Sequence, residues 1–139
     1  MGERKLVKRI AREEIVASDG QNADMARAVA ISRETAGSTN LYSSIVTTAP
    51  RGRTEVHHHG ECETSIYILR GRARFYSGED LRDTLIAEEG DFVYVPAYEV
   101  HVEENASADA PLVVLLSRNC PGPVVHYVGD GDAGAPGAS

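Results

Sequence analysis

The chain has 139 residues and a formal charge of −7, from 14 Lys and Arg against 21 Asp and Glu. Hydrophobic residues make up 42% of the sequence and charged residues 25%, as in an ordinary globular protein with a single core. Within this length we expect one domain and no second catalytic domain. The negative charge argues against nucleic acid as a partner, because phosphate binding requires a basic face.

Several features of the sequence bear on its location. No apolar stretch approaches the roughly 20 residues of a membrane-spanning helix, so we expect no membrane partner. The charged N-terminus is not followed by the apolar block of about 7–15 residues that a signal peptide requires, which predicts a cytoplasmic protein. Two cysteines, Cys62 and Cys120, are too few for a disulfide framework. Because Cys62 lies between two glutamates, we interpret it as an incidental thiol.

Short segments rich in β-branched and aromatic residues follow one another along the chain, separated by turn sequences with Gly and Pro. Such segments, at spacings of roughly 8–12 residues and without helical periodicity between them, predict an all-β antiparallel sandwich or barrel. The predicted strands are 41–48, 65–69, 73–76, 84–87, 92–95, 100–102, 112–117 and 124–128.

The chain divides into three regions. Residues 1–39 are predicted to form an N-terminal arm and the first strands, and the only plausible helix, favoured by its alanines, covers residues 22–30. Residues 40–128 carry the predicted barrel. The tail, 129–139, consists largely of Gly, Ala and Asp with nothing to bury, and we expect it to be disordered.

Four of the five histidines lie in two places in the chain. Three are consecutive, at residues 57–59, and the fourth is His101. Imidazole is the commonest metal ligand in proteins. Because side chains alternate along a strand, His57 and His59 project to one face and His58 to the other. Glu63 can add a carboxylate oxygen to the same ion, and His101 arrives from a different hairpin. The sequence therefore predicts a metal site formed by His57, His59, Glu63 and His101.

These two segments resemble the paired signatures of the cupin superfamily. The first signature is Gly52, His57, His59, Glu63 and Gly71, and the second is Gly90, Pro96, Tyr98, His101 and Asn105. The resemblance covers about residues 40–118. It implies a double-stranded β-helix, the cupin or jelly-roll barrel, with a metal ion at the mouth of the barrel.

The sequence departs from the family pattern at the predicted carboxylate ligand. In the family, six residues separate the glutamate from the following glycine, and counting back from Gly71 reaches Thr64 and not Glu63. Either a one-residue bulge lets Glu63 point inward, or Thr64 takes this place and the site consists of three histidines and water. We favour Glu63, because a carboxylate neutralises charge and a threonine hydroxyl does not.

A second departure concerns the catalytic candidates. Tyr98 stands where the family has glycine, which places a phenol near the metal. Tyr98 and its neighbour Glu99 are therefore the candidate catalytic residues, and Glu103 shares the face of His101 by the strand period. Three imidazoles and one carboxylate suit a divalent transition metal, namely Fe, Mn, Zn, Ni, Co or Cu.

The ligand set and the resemblance imply a small metal-dependent enzyme whose small-molecule substrate binds the metal through oxygen. The metal would act as a Lewis acid for an isomerase, cyclase or lyase reaction, or support oxygenase chemistry. The alternative is a non-catalytic cupin that holds a metal or a small ligand. Because small cupins pair through their sheets, we also expect a homodimer.

Overall fold

The computed structural model describes residues 4–15, 17–19, 24–122 and 124–128. Within these residues no helix is long and apolar enough to cross a bilayer. One short helix, α1, covers Arg33–Ala36, and single 3-10 turns cover Arg12–Glu14 and Glu79–Leu81. The strands are β1 (Ala17–Asp19), β2 (Met25–Ile31), β3 (Tyr42–Thr48), β4 (His57–His58), β5 (Thr64–Arg70), β6 (Arg72–Ser77), β7 (Asp83–Glu88), β8 (Phe92–Val95), β9 (His101–Asn105), β10 (Leu112–Arg118) and β11 (His126–Tyr127).

The strands form two antiparallel sheets. The first has the order β1-β2-β3-β10-β5-β8, and the second has the order β11-β4-β9-β6-β7. Strands far apart in sequence, such as β3 and β10, are therefore neighbours. A single apolar core contains residues of both sheets, so the sheets pack face to face as a sandwich. The predicted all-β fold is confirmed.

The inner face of the first sheet follows a strict two-residue alternation. On β5, Ile66 and Ile68 are buried, and on β10, Leu112, Val114 and Leu116 are buried. Each buried aliphatic side chain of this kind stabilises the fold by about 1.5–3 kcal/mol relative to its exposed state. At one end of the sheet the same alternation brings polar side chains inward. These buried residues are Tyr42, Thr64 and Arg118, which lie side by side on β3, β5 and β10.

The helix predicted over residues 22–30 is wrong. Met25–Ile31 is strand β2, which pairs antiparallel with β3. Alanine has no preference for strands, but Val29 and Ile31 are β-branched, and the ladder with β3 outweighs the weak helix propensity. The short helix α1 comes later. It begins after Ser32, whose hydroxyl accepts a hydrogen bond from the Thr35 backbone N–H in a capping box.

Seven of the eight predicted strands have different bounds in the structure, and only the strand predicted over 92–95 keeps its bounds. The segment predicted over 100–102 begins at His101 and continues to Asn105. The segment predicted over 112–117 extends by one residue to Arg118. Of residues 124–128, only His126–Tyr127 is strand. The tail 129–139, predicted to be disordered, lies outside the described residues.

Cys62 and Cys120 form a disulfide, so the expectation of an incidental free thiol at Cys62 is wrong. The bond follows from strand pairing. Thr64 and Arg118 are directly opposite on β5 and β10, and the cysteines lie two residues beyond each of them. Disulfides are typical of oxidising compartments. The cytoplasmic location stays a prediction.

Candidate metal centre

Three buried imidazoles converge between the two sheets. His57, His59 and His101 are 2–5% exposed, and one ring nitrogen of each lies within 4.8 Å of those of the other two. His57 on β4 is the cross-strand partner of His101 on β9. His59 lies two residues after His57 and reaches the same point. His58 points away and stacks on His126, with ring centroids 4.9 Å apart.

Backbone carbonyls orient all three rings. A carbonyl oxygen only accepts, so the Nδ1 atom of each ring must donate its hydrogen, and the lone pair of each ring is then on Nε2. Such a partner behind a metal-binding imidazole fixes both its tautomer and its orientation. The pairs are His57 Nδ1 with Glu55 O at 2.7 Å, His59 Nδ1 with Val124 O at 2.6 Å, and His101 Nδ1 with Glu99 O at 2.8 Å.

The electrostatic environment keeps these imidazoles neutral. Burial lowers the pKa of His57 to about 3 and of His59 to about 2, and it also lowers the pKa of His101. Neutral imidazole is the form that binds metal, because a proton and a metal ion compete for the same lone pair. Three converging Nε2 atoms in neutral rings therefore fit a divalent transition metal.

The imidazoles line a cavity of about 20 Å³ between the sheets. A single water needs roughly 10–15 Å³ of such space, so the cavity admits an ion with little besides it. A larger ligand can place only one end there. The other side chains that line the cavity are Met25, Arg27, Val46, Thr64, Ile66, Val95, Glu103, Val114, Leu116 and Arg118.

The structure places Glu63 outside this cavity. Its side chain is exposed and its carboxylate accepts a hydrogen bond from Tyr94 Oη at 3.1 Å, whereas Thr64 is buried and lines the cavity. The register explains this, because residues 64–68 of β5 pair with β10 without interruption from Arg118 onwards, and the register shift lies beyond them, at Val113. The structure therefore brings Thr64 to the imidazoles, and our preference for Glu63 needs correction.

The two catalytic candidates also lie outside the cavity. Tyr98 is 64% exposed, and its ring is 6.2 Å from that of His58 on the outer side of β4. Its φ is +63°, the left-handed conformation that explains glycine in the family signature. The Glu99 carboxylate accepts a hydrogen bond from Gly78 N–H at 3.0 Å. Together with His101, Glu99 borders a separate cavity of about 50 Å³.

Comparison with known proteins identifies the family. A family model for the cupin domain matches residues 44–117, which is more than half of the chain. The chain belongs to the cupin family. The match contains both signatures that carry the histidines of this cupin. No curated protein matches its sequence.

Solved structures similar to this cupin include a polyketide cyclase and several oxalate decarboxylases. The polyketide cyclase RemF from Streptomyces resistomycificus is 22% identical, with 90% of this chain and 87% of that chain covered and a TM-score of 0.73. An oxalate decarboxylase from Bacillus subtilis with Mn(II) centres is 26% identical, with 77% of this chain covered and a TM-score of 0.68. The enzyme from Lactobacillus farciminis is 20% identical, with 78% of this chain covered and a TM-score of 0.67. The chain spans only 29–32% of the length of these decarboxylases.

Two buried charged side chains of this cupin line the cavity and were missed or underrated in the sequence. Glu103, considered only as a possible helper, is buried, and burial raises its pKa to about 7. Arg118 was not considered at all. The alternation of Leu112, Val114 and Leu116 on β10, extended by one step, would have placed Arg118 inward.

Proposed function

We propose that this cupin is a metal-dependent enzyme that acts on a small organic molecule bound to the metal through oxygen. The observation that carries the proposal is the convergence of three neutral, carbonyl-oriented imidazoles in a buried cavity. When bound there, a divalent metal would supply Lewis-acid polarisation of a substrate oxygen, or oxygenase-type redox chemistry.

The number of protein ligands favours catalysis over a structural role. Structural zinc sites are closed by four protein ligands, whereas catalytic sites have three and leave a position for water or substrate. Here Thr64 stands where the family has a carboxylate, so the described residues would supply three ligands, His57, His59 and His101. The three imidazoles are buried, which limits their contact with bulk water and strengthens electrostatic interactions in the cavity.

For the reaction class and for the metal we propose a range of candidates. An isomerase, cyclase or lyase that uses a Lewis acid needs an open metal position beside the substrate. An oxygenase needs one as well. Both are compatible with Fe, Mn, Zn, Ni, Co or Cu bound by imidazoles. The similarity to a polyketide cyclase and to decarboxylases with Mn(II) centres supports this range without selecting a member.

The alternative function is a non-catalytic cupin that holds a metal or a small ligand. One observation favours it: the cavity of about 20 Å³ admits an ion but not a whole organic molecule. For an enzyme, the substrate must insert one oxygen-bearing end and leave the remainder outside. For a binding module, nothing beyond the ion has to enter.

Elemental analysis of protein purified without a histidine tag tests the proposal. We expect about one divalent transition metal per chain, loss of that metal in His101→Ala, and its retention in the matched control His58→Ala, because His58 faces away. Wild-type protein without stoichiometric metal after incubation with each candidate ion would refute a metal site. Metal bound at full occupancy, with no product from any oxygen-chelating substrate, would favour the binding module.

We further propose that the chain forms a homodimer through the outer face of the first sheet. An apolar row crosses four neighbouring strands on this face. Phe92 is 73% exposed and Leu115 is 36% exposed, and the rings of Tyr67 and Phe92 are 4.6 Å apart. An exposed apolar row of this kind is typical of an interaction surface. Its members, in cross-strand register, are Ile45, Leu115, Tyr67 and Phe92.

A further inference from the structure

Arg118 is a buried cation with few partners. Its residue is 3% exposed, and it lies between Tyr42 and Thr64 in the cross-strand row at the cavity end of the first sheet. Its Nε donates a hydrogen bond to Thr64 Oγ1 at 3.2 Å, and its guanidinium carbon is 5.5 Å from the centre of the Tyr42 ring. The Nη1 atom has no hydrogen-bond partner among the described residues.

No carboxylate within the described residues compensates this charge. A buried charge is costly unless it is paired, because burial removes its hydration. Burial lowers the pKa of Arg118 to about 10, so the guanidinium is still charged at neutral pH. Glu103 lines the same cavity, but neither ion pair of the described residues contains Glu103 or Arg118. The Oε2 atom of Glu103 has no hydrogen-bond partner among these residues either.

A metal at the three imidazoles would add to the positive charge of Arg118 and of its neighbour Arg27, which also lines the cavity. Arg118 lines the same cavity of about 20 Å³ as His57, His59 and His101, so the guanidinium and a bound ion would lie close together. In a low-dielectric cavity, like charges repel strongly. Thr64, which occupies the place of the family carboxylate, brings no negative charge to offset the repulsion. An anion from outside the protein would offset these positive charges at once.

We propose that the natural ligand of this site is a small organic acid whose carboxylate binds between the Arg118 guanidinium and the three imidazoles. This inference rests on the proposed function of the same site and specifies its substrate class. The planar guanidinium matches a carboxylate in shape and in its hydrogen bonds. Since the cavity is small, the carboxylate enters first, and the remainder of the acid stays outside.

The test measures how strongly formate, the smallest carboxylate, promotes Co(II) binding. The probes are Co(II) and formate, with ionic strength held constant by a bulky sulfonate that is too large for the cavity. In the wild-type protein, formate should tighten Co(II) binding by about tenfold or more, since two ligands that favour each other are coupled reciprocally. In Arg118→Met this gain should fall at least about fivefold.

A second variant tests the same charge argument in the opposite direction. Thr64→Glu supplies a protein carboxylate beside Arg118, so it should bind Co(II) tightly with no gain from formate. The matched control Glu63→Gln changes the adjacent, outward-facing residue and should behave like the wild type. A Co(II) affinity that formate leaves unchanged in the wild type, or raises equally in Arg118→Met, would overturn the inference.

Binding to the metal-free protein separates this inference from the proposed function. Formate should shift the NMR signal of the Arg118 Nε–H in metal-free wild-type protein. If the protein binds no Co(II) but the signal shifts, the metal site is refuted and the anion site stands. If Co(II) binds and formate neither tightens it nor shifts the signal, the anion site is refuted and the metal site stands. Thermal unfolding of each variant identifies any that do not fold.

Discussion

Thr64 and Arg118 are cross-strand partners whose side chains meet at the wall of the cavity that contains the three imidazoles, with Arg118 Nε 3.2 Å from Thr64 Oγ1. In the cupin signature the position of Thr64 belongs to a glutamate. Thr64 therefore replaces the carboxylate of that glutamate with a neutral hydroxyl, which accepts a hydrogen bond from the Arg118 guanidinium. The cavity of the three imidazoles then contains the positive charge of Arg118 and lacks the negative charge of the glutamate. The chemistry of the site therefore depends on what neutralises Arg118.

Glu63 is expected to be dispensable for metal binding. Its carboxylate is exposed and bonds to Tyr94 Oη, so Glu63→Gln should retain the full metal content of the wild type. Elemental analysis of purified Glu63→Gln checks this, with His101→Ala as the variant that must lose the metal. A metal content in Glu63→Gln as low as in His101→Ala would show that β5 shifts by one residue when the ion binds.

The limits of prediction follow from how each feature is encoded. Local alternation and signature spacing were sufficient to locate eight of the eleven strands of the described residues and to bring His57, His59 and His101 together, because these features depend on neighbours in sequence. The choice between Glu63 and Thr64 depends on the register of β5 against β10, which only the pairing with Arg118 reveals. The Cys62–Cys120 bond depends on the same pairing of β5 with β10. Strand β2 was missed because its alanines favour a helix locally. Its extended conformation depends on the hydrogen-bonded ladder with β3, which the local sequence does not reveal.

The metal-free protein should lose stability as the pH falls below about 6.5, the pKa of an unfolded histidine. The pKa values of His57 and His59 are lowered to about 3 and about 2 in the folded chain, so these rings stay neutral there. Between these limits the unfolded state binds more protons. Each of the two rings should then lower the free energy of unfolding by up to about 1.4 kcal/mol per pH unit.

Urea unfolding of metal-free protein at a series of pH values measures this slope. His59→Gln removes one of the titrating rings, so its free energy of unfolding should fall less steeply between pH 6 and pH 4. If the wild type and His59→Gln gave equal slopes over this range, the buried ring at residue 59 would not be neutral in the folded chain.

The disulfide is expected to stabilise both the fold and the metal site. It closes a loop with a sequence separation of 58, so Cys62→Ser with Cys120→Ser should lower the free energy of unfolding by about 2–4 kcal/mol. The Cys62 N–H donates to His59 O, and Val124, close to Cys120 in the chain, accepts from His59 Nδ1. Loss of the bond should therefore also weaken metal binding.

Chemical unfolding and metal titration of the double variant check both effects. Glu61→Ser changes the exposed residue that precedes Cys62, outside the loop that the bond closes, and serves as the control that should match the wild type. A double variant with normal metal affinity but lower stability would mean that the hydrogen bonds of His59 with Val124 and Cys62 orient its ring without help from the covalent bond.

A charge in the apolar row of the first sheet should separate the proposed dimer. Leu115 lies at the centre of the row, between Ile45 and Tyr67 in register, so Leu115→Glu would place a carboxylate against the same row of a second copy. Burying that charge without a partner would cost several kcal/mol, enough to shift a micromolar dimer to monomer.

Light scattering after size exclusion measures the mass. Thr84→Glu, on the exposed edge strand β7 of the second sheet, should stay dimeric. A monomeric wild type, or a dimer that persists in Leu115→Glu, would contradict pairing through this face.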